Sequence, residues 1–423
     1  MTTDAEARSA WPRNGEVIRR EELLRLIEQN GGPEGLDLRG AILGRDEPSI
    51  DGLPRPVDLS PQALVPLVEA YRQANGGASP PWLASTGGIA LDGGLLQGAT
   101  LLFARLEKAS LTDARLQGAD LSMADLQNAN LTRGQLEDAY LEGASLAEVN
   151  LQWAQLRRAV LAGALLEAAN LDEADLEEAD LEAVDFEGAD LRGARLPAVS
   201  LPDANLRGAK LWEARLERAD LYQVASADGA HWSGALLDHT RIKRESLGKA
   251  IGDELDARRE KAPWAYHEAK EAYLLLKNNF NQIGRYEDAS WAYVKEQQME
   301  KMAYHWEWRS HGWKMWRAWG SFWRWLRNWA YELATGYGER PWNPVIGGLL
   351  AILAFAGGFC ATRAVANFWD ALIYSLATFA TFNLADTGPT GRGADVASSV
   401  EALLGIAVLA LVVFTLGNKM SRG

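Results

Sequence analysis

Few side chains in this 423-residue chain are equipped for bond-making chemistry. Its five histidines show no metal-ligand spacing with one another or with the single cysteine, Cys360, so no metal site is expected. Cys360 stands in an apolar stretch with no second thiol, which excludes a disulfide framework and suggests a reducing compartment for the soluble part. Neither a nucleophile elbow nor a phosphate-cradling loop occurs. The expectation is a protein without enzymatic activity, cofactor or metal.

Two other groupings suggest physical rather than covalent work. Between Trp306 and Trp342 lie nine of the 17 tryptophans, interleaved with Arg309, Lys314, Arg317, Arg324, Arg327 and Arg340. Indole beside cation suits the membrane interface, where the ring lies among headgroups and the cation meets anionic lipid. Stacking on nucleic acid uses the same residue types, but an apolar span follows at once, so membrane lipid is the expected partner and nucleic acid is not. Trp313, Trp316 and Trp323 with Arg317 and Arg324 are the candidates for that contact. The second grouping is the irregular run Asn383-Leu-Ala-Asp-Thr-Gly-Pro389, which follows the apolar helical stretch Phe368 to Phe382. Irregular backbone at membrane depth survives only where it lines protein or water.

The elements around that run must hold it in a bilayer. Val345 to Ala361 has no charged residue, and Val400 to Gly417 has only Glu401 at its outer margin. Each is near the lower limit of about 17 residues for a spanning helix, whereas Phe368 to Phe382 is too short to cross. Basic residues precede the first span and Lys419 and Arg422 follow the second, which places both ends in the cytoplasm. The start, Met1-Thr-Thr-Asp-Ala-Glu-Ala-Arg, does not read as a secretory signal. A multi-pass protein of the inner (plasma) membrane is expected, with cytoplasmic termini.

Ser375-Leu-Ala-Thr-Phe-Ala-Thr-Phe-Asn-Leu-Ala-Asp386 resembles, without a gap, the pore-helix and filter pattern S-L-x-T-x-T-T-V-G-Y-G-D of pore-loop potassium channels. The span Val400 to Met420 is similar to that family's pore-lining helix. The resemblance covers Trp342 to Arg422 and implies a homotetramer around a filter made by Thr381, Phe382, Asn383, Leu384, Ala385 and Asp386. It also implies Gly405 as a hinge. Glu401 reads either as support behind the pore loop or as a carboxylate snorkelling outward, and Phe414 either as a hydrophobic gate or as a lipid-facing or packed side chain. The filter departs from the pattern, since Asn383 and Ala385 replace both glycines and Leu384 the tyrosine. Glycine makes the carbonyl ladder affordable, so weak selectivity among monovalent cations is expected. Asp386 would concentrate cations at the outer mouth.

A second pattern fills the middle of the chain. From Leu91 to Leu221 every fifth residue is leucine except Phe186, and in nearly every pentad the position two before it is alanine, with Gly94, Gly134, Val149, Val184 and Val199 as small variants. Five steps of 100° carry a helical residue round by 140°, and on a strand the leucines would alternate faces. A chain that bends once per pentad can instead point every leucine at one axis while its coils stack. Pentads such as Ala119-Asp-Leu-Ser-Met, Ala174-Asp-Leu-Glu-Glu and Ala189-Asp-Leu-Arg-Gly resemble the A(D/N)LXX signature of pentapeptide-repeat proteins. That resemblance implies a right-handed quadrilateral β-helix with four pentads per coil, rising about 4.8 Å per coil.

The chain is therefore read as multi-domain: an N-terminal helical cap (1–35), a first repeat fragment with an insert (36–90), the β-helix (91–225), an α-helical hairpin connector (226–300), a Trp/Arg-rich interfacial helix (301–341) and a two-transmembrane pore-loop domain (342–423). Within it, Leu38-Arg-Gly-Ala-Ile-Leu43 fits the repeat, Glu21 to Gln29 and Pro61 to Ala74 read as helices, and the residues around Gly284 resemble a tetratricopeptide-type hairpin. The β-helix holds most of the net charge of -14, which a solvated outer face explains. Some pentapeptide-repeat proteins inhibit gyrase by mimicking DNA, but here basic residues are interspersed and a membrane module would hold the repeat away from the nucleoid. The functional expectation is a cation-channel-like membrane protein whose cytoplasmic repeat senses or scaffolds, with a possible protein partner on the solenoid. A non-conducting anchored scaffold is the alternative.

Overall fold

The computed structural model describes residues 17–33, 36–39, 41–48, 54–310, 319–340, 342–362, 365, 367–380 and 392–420. It divides into two compact units, Met1–Glu260 with Glu271–Asp288, and Lys261–Lys270 with Ala289–Gly423.

The first unit is a β-helix built one pentad at a time. In nearly every pentad the leucine carbonyl accepts a hydrogen bond from the N–H three residues on, as Leu101 does from Ala104 at 2.9 Å. This closes a β-turn whose third residue is left-handed, with φ 56° at Phe103, 57° at Asp113 and 59° at Glu173. The bend that a five-residue period demands therefore sits two residues after each leucine. Coils then stack through the backbone: Leu121 N–H donates to Tyr140 O at 2.7 Å, and Asp120 N–H to Ala99 O at 2.9 Å. Asp120 pairs with Tyr140 and Asn130 with Asn150, so a coil takes 20 residues, four pentads. Leu121, Leu126, Leu131 and Leu136 are all 0% exposed, and so is the small position at Ala119 and Ala124.

The first coil starts before the uninterrupted repeat. Asp37, Ile42, Asp58 and Ala90 pair with Leu95, Thr100, Arg105 and Ser110. The insert expected within residues 36–90 thus interrupts the repeat only in part, because Val57, Leu59 and Ile89 also reach the core. The excursion holds helix α2 (Pro61–Ala74). Helix α1 (Arg20–Asn30) turns Leu23, Leu24 and Ile27 into the core, and strand β1 (Val17–Ile18) pairs in parallel with β2 (Ile42–Pro48), itself antiparallel to β3 (Pro54–Pro56).

The stack also runs past Ala225, where the sequence pattern stops. Ser200 pairs with Asp220 at the usual spacing, but Asn205 pairs with Ser226 and Lys210 with His231. One extra residue moves the phase, so that Ala227, Trp232, Leu237 and Ile242 take the leucine positions, and Ala230, Ala235 and Thr240 the small ones; all are buried. Strands β4 (Asp220–Leu221) and β5 (Arg241–Ile242) close this last pairing. Helix α3 (Gly252–Glu260) follows, and its buried Asp253 accepts hydrogen bonds from Trp232 N–H at 2.7 Å and Trp212 Nε1 at 3.2 Å. Tyr273 of helix α4 (Pro263–Gln282) donates to the buried Glu254, and Asn279 donates to Thr240 O at 2.8 Å.

In the second unit, the first turns of α4 meet helix α5 (Tyr286–Ser310) through Lys270 and Glu300 at 2.9 Å. Helix α6 (Trp319–Thr335) is joined to α5 by the Lys301–Glu332 ion pair and by stacking of Trp308 on Trp325, centroids 6.4 Å apart. Helices α7 (Trp342–Ala361), α8 (Phe368–Phe379) and α9 (Arg392–Met420) complete the unit.

Candidate functional site

Helices α7 and α9 contain the two described segments long and apolar enough to cross a membrane, Trp342–Ala361 and Val396–Gly417. Their outward side chains are apolar, among them Leu349, Leu350 and Leu353 on α7 and Leu403, Ile406, Leu409 and Val413 on α9. Exposing such a surface to water is unfavourable, whereas hydrocarbon is its natural solvent.

Helix α8 is different in kind. Its 12 residues span about 18 Å at about 1.5 Å per residue, well short of a bilayer core of about 30 Å. Asn367 begins it by accepting a hydrogen bond from Asp370 N–H at 2.9 Å, which satisfies a donor of the first turn. One face then locks onto both spans. Ala371 is fully buried beside Ala356 and Phe359. Phe359 meets the Tyr374 ring edge-on, centroids 5.6 Å apart, and Tyr374 donates to Ser398 Oγ at 3.1 Å. Ser375 lies within 2.9 Å of Ile352 O and also hydrogen-bonds to Glu401. Glu401 is 0% exposed, and its Oε2 has no hydrogen-bond partner among the described residues. A short helix is thereby held between two spanning ones by three hydroxyls and a carboxyl group.

The far end of α8 rests between two glycines. Phe379 comes against Gly348 of α7 and Gly405 of α9. Beside it an apolar cavity of about 540 Å³ is lined by Ile352, Phe379, Ile406, Leu409 and neighbours. Phe414, farther along α9, is 53% exposed. Among the described residues no cluster of His, Cys, Asp and Glu is arranged to hold a metal ion.

Of the residues singled out from the sequence, Glu401 and Gly405 both contact α8. Thr381, Phe382, Asn383, Leu384, Ala385 and Asp386 lie outside the described residues, as do Trp313, Trp316 and Arg317. Trp323 is 52% exposed on α6, on a face shared with Trp319, Trp329 and Leu333, each at least 45% exposed. Arg324 lies over the Tyr304 ring, 5.7 Å from its centroid. Sequence reasoning missed Tyr374, Phe379 and Gly348. The Gly347-Gly348 pair inside an apolar span was the available signal for the last of these, since small residues let membrane helices approach closely.

Comparison with known families agrees with this division. Pentapeptide repeats, in eight copies, match residues 95–126, 124–163, 159–196 and 200–224, and an ion channel family matches residues 347–422. No curated protein matches the chain. Similar solved structures include the pentapeptide repeat protein Rfr23 of the cyanobacterium Cyanothece 51142, 42% identical over 20% of this chain and 58% of its own, with a TM-score of 0.20. HetL of Nostoc sp. PCC 7120, a pentapeptide repeat protein involved in heterocyst differentiation regulation, is 26% identical over 55% of this chain and 99% of its own, with a TM-score of 0.21. A third, alr5209 of Nostoc PCC 7120, is 33% identical over 27% and 84%, with a TM-score of 0.20.

Proposed function

We propose, from the premise that this chain joins pentapeptide repeats to a two-transmembrane pore-loop channel domain, that it assembles as a homotetramer and passes monovalent cations across a membrane. The observation that carries the reading is helix α8, too short to cross and yet bound on one face to both spans. A plain helical hairpin anchor has no need of such an element. Four copies around an axis would bring together four segments Thr381 to Asp386, which follow α8 in the chain. Their hydroxyl, amide and carboxylate oxygens suit a partly hydrated cation, and the lack of both filter glycines argues for weak preference between potassium and sodium.

In this reading Glu401 supports the pore helix from behind through Ser375, and Phe414 narrows the inner end of the pathway. The termini and the β-helix lie in the cytoplasm at the inner (plasma) membrane, where the solenoid senses or scaffolds through a protein partner. The exposed tryptophans of α6, with Trp313, Trp316, Arg317 and Arg324, lie along the inner membrane surface and carry motion of the soluble part to α7. The test is purified protein in planar bilayers under opposed potassium and sodium gradients, together with a low-resolution image of the particle. Current that reverses near zero, from a fourfold particle, is the expected result. Silence from a particle without fourfold symmetry would replace the channel by a membrane-anchored scaffold.

A further inference from the structure

Gly405 is where α9 comes closest to α8. A Cβ built on it would collide with the carbonyl oxygen of Phe379 and stand 2.9 Å from its carbonyl carbon. Approaches below 3.0 Å are essentially never seen for real Cβ atoms, and the obstacle here is backbone, which cannot swing aside as a side chain can. On the opposite side, a Cβ at Gly348 of α7 would stand 3.1 Å from the Phe379 ring and 3.2 Å from Val408. The last turn of α8 is thus seated between one glycine from each span. Among the described residues, Gly347, Gly357, Gly358 and Gly417 of the same spans have nothing within 4 Å of the equivalent point. Within one protomer, then, crowding singles out Gly405 and Gly348 among the glycines of these helices.

We infer that Gly405 is a positioning residue, whose missing side chain is the seat that fixes the end of α8 and so sets where the chain leaving α8 enters the conduction path. The inference rests on the conducting role proposed above. It differs from a hinge in what the glycine is for. A hinge needs backbone freedom at this point of α9 and would tolerate a methyl group; a seat needs empty space and would tolerate a stiff helix. The two roles give opposite signs for one substitution, because alanine favours a helix over glycine but fills the seat.

The experiment compares full-length wild type with Gly405→Ala, Gly417→Ala and the double variant Gly405→Ala/Ile406→Gly, by melting in detergent and by reversal potential in planar bilayers. Gly417→Ala is expected to melt no lower than wild type. Gly405→Ala is expected to melt lower and to shift the potassium–sodium reversal potential or lose current. The double variant is expected to restore neither, because a glycine one residue on supplies flexibility but leaves the methyl group in the seat. Melting at or above wild type with an unmoved reversal potential overturns the inference, as does restoration by Ile406→Gly. If Gly405→Ala does not assemble, Gly405→Ala/Phe379→Ala decides: without its ring the last turn can withdraw, so recovered assembly supports the seat and continued failure overturns it. A wild-type chain that passes no current refutes the conducting reading, while the melting comparison still tests the seat.

Discussion

Replacing Leu151 by alanine puts the core of the β-helix to the most direct test. Leu151 is 2% exposed, and Leu131 and Leu171, one coil away on either side, are 0% exposed. The substitution removes three carbons, about 2.4 kcal/mol at about 0.8 kcal/mol per methylene. A cavity term adds to this according to how far the walls can close. Here they are pinned, since Leu131 N–H donates to Asn150 O and Leu151 N–H to Asn170 O, both at 2.7 Å, and these bonds set the coil spacing. The loss should therefore reach about 4 kcal/mol, toward the upper part of the range measured for buried leucines. Leu151→Asp should cost more, by leaving a charge without a partner in an apolar column. Urea unfolding of the full-length chain in detergent gives the magnitude, and amide hydrogen exchange gives the location. Because each coil touches only its neighbours, protection should fall most in the coils holding residues 131, 151 and 171. The exposed Glu142→Ala should stay within about 0.5 kcal/mol of wild type. A Leu151→Ala loss below about 1 kcal/mol, or one no larger than that of the Glu142 control, would refute a core carried by this column.

Two further outcomes concern the second unit. Burial alone would raise the Glu300 carboxyl, but its hydrogen bonds with Lys270 and Tyr304 and the Lys270 charge hold it below its ordinary 4.5, and the Lys270 ammonium, despite burial, is raised above 10.5. The clamp should thus be complete between about 4.5 and 10.5 and weaken as pH falls through the lowered Glu300 value or rises through the raised Lys270 value; melting of wild type and Glu300→Gln should converge toward acid pH, and a constant difference would refute the coupling. With Trp319, Trp323 and Trp329 as the only remaining tryptophans, doxyl lipids should quench the fluorescence if α6 lies at the bilayer surface; absence of quenching would place its apolar face against protein instead.

The repeat was legible because a five-residue period admits few solutions, and the spans were legible because uncharged runs near bilayer length are rare in soluble chains. The place of the bend was not. Residues two after the leucines include Phe103, Lys108, Glu173 and Gly188, and no common residue type marks their shared positive φ. Stacking imposes that conformation, and the local cost is accepted because it completes the hydrogen bonds of the coil. The continuation beyond Ala225 was hidden for a related reason. A single extra residue breaks a pattern counted along the chain, but in space it is a small bulge that leaves the next coil in register with the one before.

In the membrane domain, sequence determined which segments are apolar and that one of them is too short to cross, because hydropathy and length are properties of a segment by itself. Only the tertiary structure decided which groups meet. Ser375 and Glu401 stand 26 residues apart, and Phe379 reaches Gly348 and Gly405 from a third helix. Such contacts depend on the rotation and depth of three helices packed together, to which many side chains contribute small terms. The same glycine therefore reads as freedom along the chain and as occupied space once the helices have packed.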